Sequence, residues 1–307
     1  MVGNIVIAGS CLIALSMKAE RFPQVGETVV ANMFFEETGG KGTNQAIAAS
    51  KLGSRVSLIG CVGNDKFGKA ILQDLNKFTV DTQAVRIDDS CQSGTAFILI
   101  NDHGDNMISI LPGANFKLTN DDFENNLDVI RKSDIIGFQL ENNIDFVEYG
   151  IKRANELGIK TLLDPAPARH LNDSVYAHLD YIKPNESEAS LLTKISVTDI
   201  DSAFKAAEWF LDKGVKNSII TLGQKGVVIL NHKIKHYVVP PKTKAADPTG
   251  AGDIFSGALM HCLTNKMDLT AACEFAVYAA TFSVRQVGVI QSMPTEQEVI
   301  DFRNSQT

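Results

Sequence analysis

The sequence has little that would suit a nucleic-acid-binding, secreted or membrane-spanning protein. Its formal net charge is -7 and it contains no long basic run, which argues against binding to a phosphate backbone as the main role. The five cysteines are scattered, form no C-x-x-C pair and show no metal-ligand spacing. Their odd number favours free thiols in a reducing compartment. The apolar run at residues 4–8 has the length of a strand and is too short for a membrane span. We therefore expect a cytoplasmic protein without a nucleic-acid or membrane partner.

Apolar residues make up 44% of the 307 residues, enough for a large core. Short apolar runs predict strands at residues 5–8, 56–61, 135–138, 161–164, 181–183, 218–221 and 227–230. Longer segments with helical spacing predict helices at residues 43–52, 67–78, 144–157, 202–213, 251–264 and 269–285. This alternation predicts an α/β fold with a mostly parallel central sheet flanked by helices.

Two regions interrupt the alternation of strands and helices. Residues 27–36 and 93–110 are typical of antiparallel strands, and residues 101–104 of the second region predict a turn. No repeat, low-complexity tract or linker divides the chain. We expect one domain over residues 1–307 with a small β appendage.

The segment from Asp247 to Asp253 reads Asp-Pro-Thr-Gly-Ala-Gly-Asp and leads into an apolar helix. Glycines at a helix entrance allow close approach of a ligand, and the first-turn N–H groups favour an anion there. A carboxylate beside such a site suits a general base that takes a proton from an attacking hydroxyl group. The alternative, that Asp253 only caps the helix, is equally consistent with this segment alone.

A second glycine-rich segment, residues 38–45, precedes an alanine-rich helix. It does not have the P-loop spacing, because Gly42 follows Lys41. Lys41 and Asn44 supply a cation and an amide that suit sugar hydroxyl groups. A glycine turn without a ligand remains an alternative of equal weight.

Two further segments follow predicted strands. Asn185 and Glu188 are three residues apart and suit a hydrated Mg²⁺ near phosphates, although an N-cap with a capping-box partner is the favoured interpretation without other context. Residues 221–226 form a strand end and a glycine turn. Ligands collect at the carboxyl ends of strands in an open parallel sheet, so the joint placement of these segments predicts one site.

Together these segments resemble the ribokinase-like carbohydrate kinases. Gly-Gly-Lys-Gly-x-Asn-Gln at residues 39–45 is similar to that family's N-terminal signature, and Asp-x-x-Gly-Ala-Gly-Asp at 247–253 is similar to its C-terminal one. Asn185-x-x-Glu188 and Gly113-Ala-Asn115 also match in order. The resemblance implies a ribokinase-like fold with a small β-sheet lid built from about residues 11–36 and 93–110. It also implies a homodimer formed through that lid.

The resemblance further implies an ATP-dependent kinase that phosphorylates a primary hydroxyl of a ribose-like sugar. Asp253 would be the catalytic base, with an anion hole formed by Gly250, Ala251 and Gly252. The sugar would contact Gly40, Lys41, Asn44, Glu141 and Asp253. ATP would lie along Asn185, Thr221, Gly223, Gly226 and Gly252. Glu188 would hold Mg²⁺ through water, and K⁺ would be bound by Asp247, Thr249, Ser283, Gln286, Gly288 and Ser292.

The sequence departs from the family's pattern after the first strand. Leu12 and Ala14 stand where the family usually has Asn and Asp facing the sugar, and neither side chain forms hydrogen bonds. A different acceptor, such as a deoxy sugar or a nucleoside, is therefore an alternative to ribose. A catalytically weak, sugar-sensing protein is a further alternative, although the phosphoryl-transfer residues are complete.

Overall fold

The computed structural model describes residues 2–306, which contain fourteen β-strands and twelve α-helices. The strands are Asn4–Ala8 (β1), Leu12–Ala19 (β2), Ala31–Gly39 (β3), Arg55–Gly63 (β4), Val80–Asp81 (β5), Val85–Asp88 (β6), Gly94–Ile100 (β7), Asn106–Leu111 (β8), Ile135–Phe138 (β9), Lys160–Leu163 (β10), Tyr181–Ile182 (β11), Asn217–Thr221 (β12), Val227–Leu230 (β13) and Lys235–Val238 (β14). The helices are Lys41–Lys51 (α1), Lys66–Lys77 (α2), Asn120–Glu124 (α3), Leu127–Ile130 (α4), Ile144–Glu156 (α5), Asp173–Tyr176 (α6), Glu186–Thr193 (α7), Ile200–Asp212 (α8), Ala251–Thr264 (α9), Leu269–Ser283 (α10), Val289–Ser292 (α11) and Glu296–Asn304 (α12).

The large sheet has the order β14-β13-β12-β11-β10-β9-β1-β4-β5, and β6 also pairs with β4. Every pairing from β12 through β1 to β5 and β6 is parallel, whereas β13 and β14 add an antiparallel edge. The predicted α/β class is therefore confirmed. None of the helices within residues 2–306 is both long and apolar enough to cross a membrane.

Strand β1 explains why this sheet is covered on both faces. Its side chains alternate, so that Ile5 and Ile7 join one apolar cluster while Val6 and Ala8 join another. The first cluster includes residues of α1, α2, α9 and α10, and the second includes residues of α5 and α8. Apolar burial on both sides makes a parallel strand uniformly hydrophobic, and each buried Ile or Phe contributes about 1.5–3 kcal/mol.

The predicted elements of the large sheet agree with the structure within one or two residues at most ends. The strands predicted at 135–138 and 227–230 and the helix predicted at 251–264 have the observed bounds. The short strands β5, β6 and β14 were not predicted, because two to four residues carry too little pattern.

A separate four-stranded sheet has the order β3-β2-β7-β8. The strand predicted at 27–36 begins too early, since β3 starts at Ala31 and Glu27 instead closes a local turn with Gln24. Asn115 joins this sheet to the main body, because its amide accepts from the Cys11 N–H (2.7 Å) and donates to the Cys11 carbonyl (2.8 Å).

This small sheet exposes an unusual amount of apolar surface. Eight side chains of its strands are between 39% and 61% exposed, namely Met17, Met33, Phe34, Phe97, Met107, Ile108, Ile110 and Leu111. Met17, Phe34 and Met107 share one face of the sheet, and Met33 and Ile108 share the other. Exposed apolar surface of this kind marks an interaction site in soluble proteins.

Helices α1 and α9 lie side by side because small residues face each other. A Cβ added to Gly257 of α9 would lie 2.8 Å from the Ala48 Cβ, 2.9 Å from the Gln45 carbonyl oxygen and 3.0 Å from the Ala49 nitrogen. This close contact determines how near the first turns of the two helices come to each other.

We therefore predict that Gly257→Ala destabilises the protein by about 1–3 kcal/mol, the usual cost of overpacking. In a helix with free space the same change is stabilising by about 1 kcal/mol, so the sign of the effect is informative. Urea denaturation of both proteins would measure the free energy of unfolding. A gain in stability would show that α1 and α9 are not in tight contact.

Candidate active site

Polar side chains gather at the carboxyl edge of the large sheet. Asp164 directly follows β10, Lys183 directly follows β11 and Thr221 ends β12, while Glu141 lies three residues beyond β9. These four strands are consecutive parallel neighbours, so their ends meet at one edge. This is the edge at which open α/β sheets bind ligands.

The first turn of α1 points at this edge. The helix begins at Lys41, two residues before the predicted start, with Gly40 at its N-cap. The Glu141 carboxylate accepts from the Lys41 N–H (2.9 Å) and from the Ser10 hydroxyl group. A helix N-terminus stabilises a carboxylate in this position, yet burial still raises the pKa of Glu141 above its usual range.

The first turn of α9 lies opposite that of α1. Its N-cap, Gly250, has φ +77°, a conformation that glycine adopts without strain, and no side chain caps the helix. The N-terminal N–H groups of a helix lack intrahelical carbonyl partners. Such donors suit an anionic ligand, although the Ala251 N–H already donates to the Pro248 carbonyl oxygen at 3.3 Å.

Asp253 lies in this first turn and is 5% exposed. Its carboxylate accepts hydrogen bonds from the side-chain amides of Asn44 (2.9 Å) and Gln45 (3.3 Å), both on α1. Asp253 and the acids near it raise the pKa of Lys41 above its usual value. Because its partners are side chains of another helix, the geometry favours a site residue over a simple helix cap.

Asn185 and Glu188 form the capping box that was the favoured interpretation of this pair. Asn185 Oδ1 accepts from the Glu188 N–H (2.9 Å), and Glu188 Oε2 accepts from the Asn185 N–H (2.9 Å). The Asn185 amide also donates to Glu188 Oε1 (2.9 Å). Burial raises the pKa of Glu188, and the nearby Asp164 raises it further. Each carboxylate oxygen keeps a lone pair for one more donor.

A cavity of about 820 Å³ runs from the turn after β12 to the first turn of α9. Its lining includes the predicted residues Asn185, Thr221, Gly223, Gly226, Ala251 and Gly252. The lining includes Gly252 but not the next residue, Asp253, whose side chain faces α1.

Sequence reasoning missed part of this lining. Loop residues 240–243 and Ala245 form one wall. Val277, Ala280 and Thr281 of α10, with Val284 directly after it, form another. The α10 residues have the spacing of a core-facing helix stripe, so their pattern did not separate cavity from core. In the loop, the two prolines were the only sequence feature that stood out.

The residues predicted to bind K⁺ lie in two stretches of chain that the structure joins, and two of them, Ser283 and Ser292, end helices α10 and α11. Asp247 Oδ1 accepts from the Thr249 N–H (2.9 Å), and Asp247 Oδ2 accepts from the Gly288 N–H (3.2 Å). The Ser283 and Ser292 hydroxyls donate to helix carbonyls. Within residues 2–306 there is no cluster of three or more His, Cys, Asp or Glu side chains placed to hold a metal.

Residues 2–296 match the family model described as pfkB family carbohydrate kinase. The chain belongs to this family. It is similar to ribokinase of Haemophilus influenzae, with 36% identity over 281 residues that cover 92% of each chain. It is also similar to deoxyribokinase of Salmonella typhi, with 34% identity over 300 residues that cover 97% of this chain and 98% of the other.

The fold agrees with that of a solved ribokinase. The structure of Arabidopsis thaliana ribokinase complexed with ribose and ATP superposes with a TM-score of 0.89 at 27% identity, and the match covers 98% of this chain and 99% of the other. The fold is therefore ribokinase-like. As a pfkB family member, the protein is an ATP-dependent sugar kinase, a phosphotransferase with an alcohol group as acceptor.

We predict that Lys41→Met destabilises the protein by roughly 3 kcal/mol at pH 8. The change leaves the buried carboxylates near Lys41, including Asp253 and Glu141, without their cation. Lys41 lowers the pKa of Glu141, so its loss raises that pKa further. A carboxyl group whose folded-state pKa is raised favours folding when protonated, and this contribution is lost as the pH rises through the folded pKa. The deficit of Lys41→Met should therefore shrink as the pH falls from 8 towards 5.

Chemical denaturation at several pH values would measure this deficit. The exposed Lys160 supplies the control, and Lys160→Met should change stability little at any pH. A deficit of Lys41→Met that does not vary with pH would contradict the proposed coupling to Glu141.

Proposed function

We propose that the protein transfers the γ-phosphate of ATP to a primary hydroxyl group of a ribose-like sugar, with Asp253 as the catalytic base. The observation that carries the proposal is the position of the Asp253 carboxylate. Asp253 follows Gly252, which lines the cavity, in the first turn of α9, and it is held there by Asn44 and Gln45 of α1. A base at this point has the acceptor hydroxyl on one side and the transferring group on the other.

In the proposed step, Asp253 takes the proton of the sugar hydroxyl while its oxygen attacks the γ-phosphorus. A new oxygen–phosphorus bond forms, the bond to the β-phosphate oxygen breaks, and ADP leaves with that electron pair. Charge on the transferring group is stabilised by N–H donors in the turn of Gly250, Ala251 and Gly252. Preorganised donors at a helix N-terminus need no rearrangement during the step.

The sugar is proposed to contact Gly40, Lys41, Asn44 and Glu141. Support comes from Asn44, which is buried and whose Oδ1 has no hydrogen-bond partner among the described residues. A buried acceptor without a partner is costly, and a sugar hydroxyl would satisfy it. Lys41 adds a cationic donor near the Asp253 carboxylate.

ATP is proposed to occupy the cavity along Asn185, Thr221, Gly223, Gly226 and Gly252. Its volume, about 820 Å³, lies within the usual range for small-molecule sites. The residues missed in the sequence, including Val277 and Val284, supply the apolar walls that suit a purine base.

The residues present fit Mg²⁺ and K⁺, and we propose both as cofactors. Mg²⁺ retains several waters and takes one or two carboxylates beside substrate phosphates, which suits contact with Glu188 through water. Its charge would neutralise phosphate oxygens. The loops of Asp247 and Gly288 are joined by a hydrogen bond and offer carboxylate, hydroxyl and carbonyl oxygens suited to K⁺. The predicted ligands are Asp247, Thr249, Ser283, Gln286, Gly288 and Ser292.

The main test is Asp253→Asn. We expect kcat to fall by about 1000-fold or more, because general base catalysis is lost, while ATP affinity changes little. Initial rates of ADP release and calorimetric titration with ATP would measure the two effects.

The matched control is Asp201→Asn. Asp201 is an exposed acid in the first turn of α8, so like Asp253 it lies at a helix N-terminus, but it is outside the site. If Asp253 served only the helix terminus, both variants would keep their activity. Undiminished turnover of Asp253→Asn would remove it as the base.

A second candidate acceptor is a deoxy sugar, and Leu12 and Ala14 favour it. A Cβ placed on Gly39 would lie 3.4 Å from Leu12 Cδ1 and 3.9 Å from the Ala14 Cβ, so both side chains lie on the face of β2 next to the Gly39–Lys41 segment. Apolar side chains there would not bond a sugar hydroxyl. Deoxyribokinase is among the similar proteins. No observation specifically favours a nucleoside or a non-catalytic sensor.

We predict that the double change Leu12→Asn and Ala14→Asp raises the preference for ribose over 2-deoxyribose. The ratio of the two kcat/KM values should rise about tenfold, the effect of restoring a bonded hydroxyl group in a partly matched site. Met17→Asn is the control, because Met17 lies on the opposite face of the same strand. An unchanged ratio would show that Leu12 and Ala14 do not face the sugar.

We further propose that the small sheet is a lid and that it pairs two copies into a homodimer. Its exposed apolar residues, including Phe34 and Ile108, support this proposal, because an interface with a second copy would remove their side chains from water. The assignment of residues 1–307 to one domain and the cytoplasmic location remain predictions.

A further inference from the structure

Lys183 and Asp164 form a buried ion pair behind the first turn of α9. The Lys183 Nζ lies 2.8 Å from Asp164 Oδ2, and the two side chains are 4% and 2% exposed. Such a pair costs much desolvation free energy and is weak evidence for a role in stability. The other oxygen, Asp164 Oδ1, is buried without a hydrogen-bond partner among the described residues, which adds to this cost.

The ammonium group of Lys183 makes a second contact that points to a role in the site. It donates to the carbonyl oxygen of Gly252 at 3.1 Å. The Ser256 hydroxyl lies 3.0 Å from the same carbonyl and 3.0 Å from Asp164 Oδ2. A Cβ added to Gly252 would lie 3.4 Å from the Lys183 Nζ, so the cation directly contacts this turn.

The Gly252 carbonyl belongs to the same planar peptide unit as the N–H of Asp253. Donation to a carbonyl polarises its peptide and makes the N–H a stronger donor. A buried cation polarises the unit more than a neutral group does, because the low local dielectric constant leaves its field unscreened. The charge of Lys183 is thus transmitted to an N–H donor in the first turn of α9.

We propose that Lys183 is a positioning residue for phosphoryl transfer, and that Asp164 holds it in place. Lys183 acts through the Gly252–Asp253 peptide, which it orients and polarises towards the transferring phosphoryl group. Its own ammonium does not need to reach the phosphate, since it is buried and committed to Asp164 and Gly252. This inference rests on the proposed role of the α9 first turn as the anion hole.

The test uses two double variants that remove both charges together, so that no unpaired ion stays buried. Lys183→Met with Asp164→Asn removes the donor, and Lys183→Gln with Asp164→Asn keeps polar atoms in place. We expect kcat to fall by about tenfold to a hundredfold in both, less than the loss of an anion-hole donor itself. The KM values for ATP and sugar should stay within about threefold, because ground-state contacts remain.

A second measurement separates this role from a structural one. ADP with aluminium fluoride mimics the transferring phosphoryl group, and its affinity should fall by the same factor as kcat while ADP alone binds as before. The neutral control is Ser256→Ala, which removes a donor to the same carbonyl without removing charge and should lower kcat by less than about threefold. Thermal denaturation shows that each variant is folded, and the Gln variant serves if the Met variant does not fold.

The outcomes distinguish this inference from the proposed function. If both folded double variants keep kcat within about twofold while Asp253→Asn is inactive, the role of Lys183 is overturned and the proposed function stands. If Asp253→Asn keeps full activity, the proposed function itself is contradicted, whatever the double variants show. A uniform loss of ATP, ADP and aluminium fluoride affinity would show a structural role and would also overturn the proposal.

Discussion

The site depends on a single amide group shared between two buried carboxylates. The side-chain amide of Gln45 donates to Asp164 Oδ2 at 3.0 Å and to Asp253 Oδ1 at 3.3 Å. Its own oxygen accepts from Gln139 at 2.8 Å, so the orientation of the amide is fixed. Two carboxylates close to one donor would repel each other, and burial would raise the cost. Lys41 and Lys183 supply the compensating cations, one near each acid.

Both helix N-termini at the carboxyl edge of the sheet contribute to this charge balance. The positive ends of the dipoles of α1 and α9 add to the two lysines and favour the nearby acids Glu141 and Asp253. The packing that brings the termini together is apolar and close, through Gly257 against Ala48. The electrostatics of the site therefore depends on small side chains in the core.

The small sheet differs from the large one in how its faces are covered. The large sheet buries both faces under helices, whereas the small sheet leaves Phe34, Phe97 and Met107 more than half exposed. Asn115 holds its first strand to the body through the Cys11 backbone, which fixes where the sheet begins but not what covers it. Leu12 and Ala14, which we propose to influence the choice of acceptor, lie at this junction.

Much of this protein was predictable from local pattern. Apolar runs predicted seven strands of the large sheet, and the glycine-rich entrance to α9 predicted a helix that begins at Ala251. Asp253, Lys41 and Asn44 were identified as candidates by residue type and by resemblance to a family. Local pattern also left two interpretations equally open, since an acid in the first turn of a helix can be a helix cap or a catalytic base.

The contacts that bear on those alternatives appear only in the tertiary structure, because they join residues far apart in the chain. Asn44 and Asp253 are 209 residues apart, and Lys183 and Gly252 are 69 apart. The walls formed by Val277 and Val284 have the same helical spacing as core residues, so only the fold shows that they face a cavity. The sequence by itself determined the periodicity of strands and helices and the residue types at their ends, which are local properties. Which ends meet, and which buried charges balance one another, was decided by packing across the whole sheet.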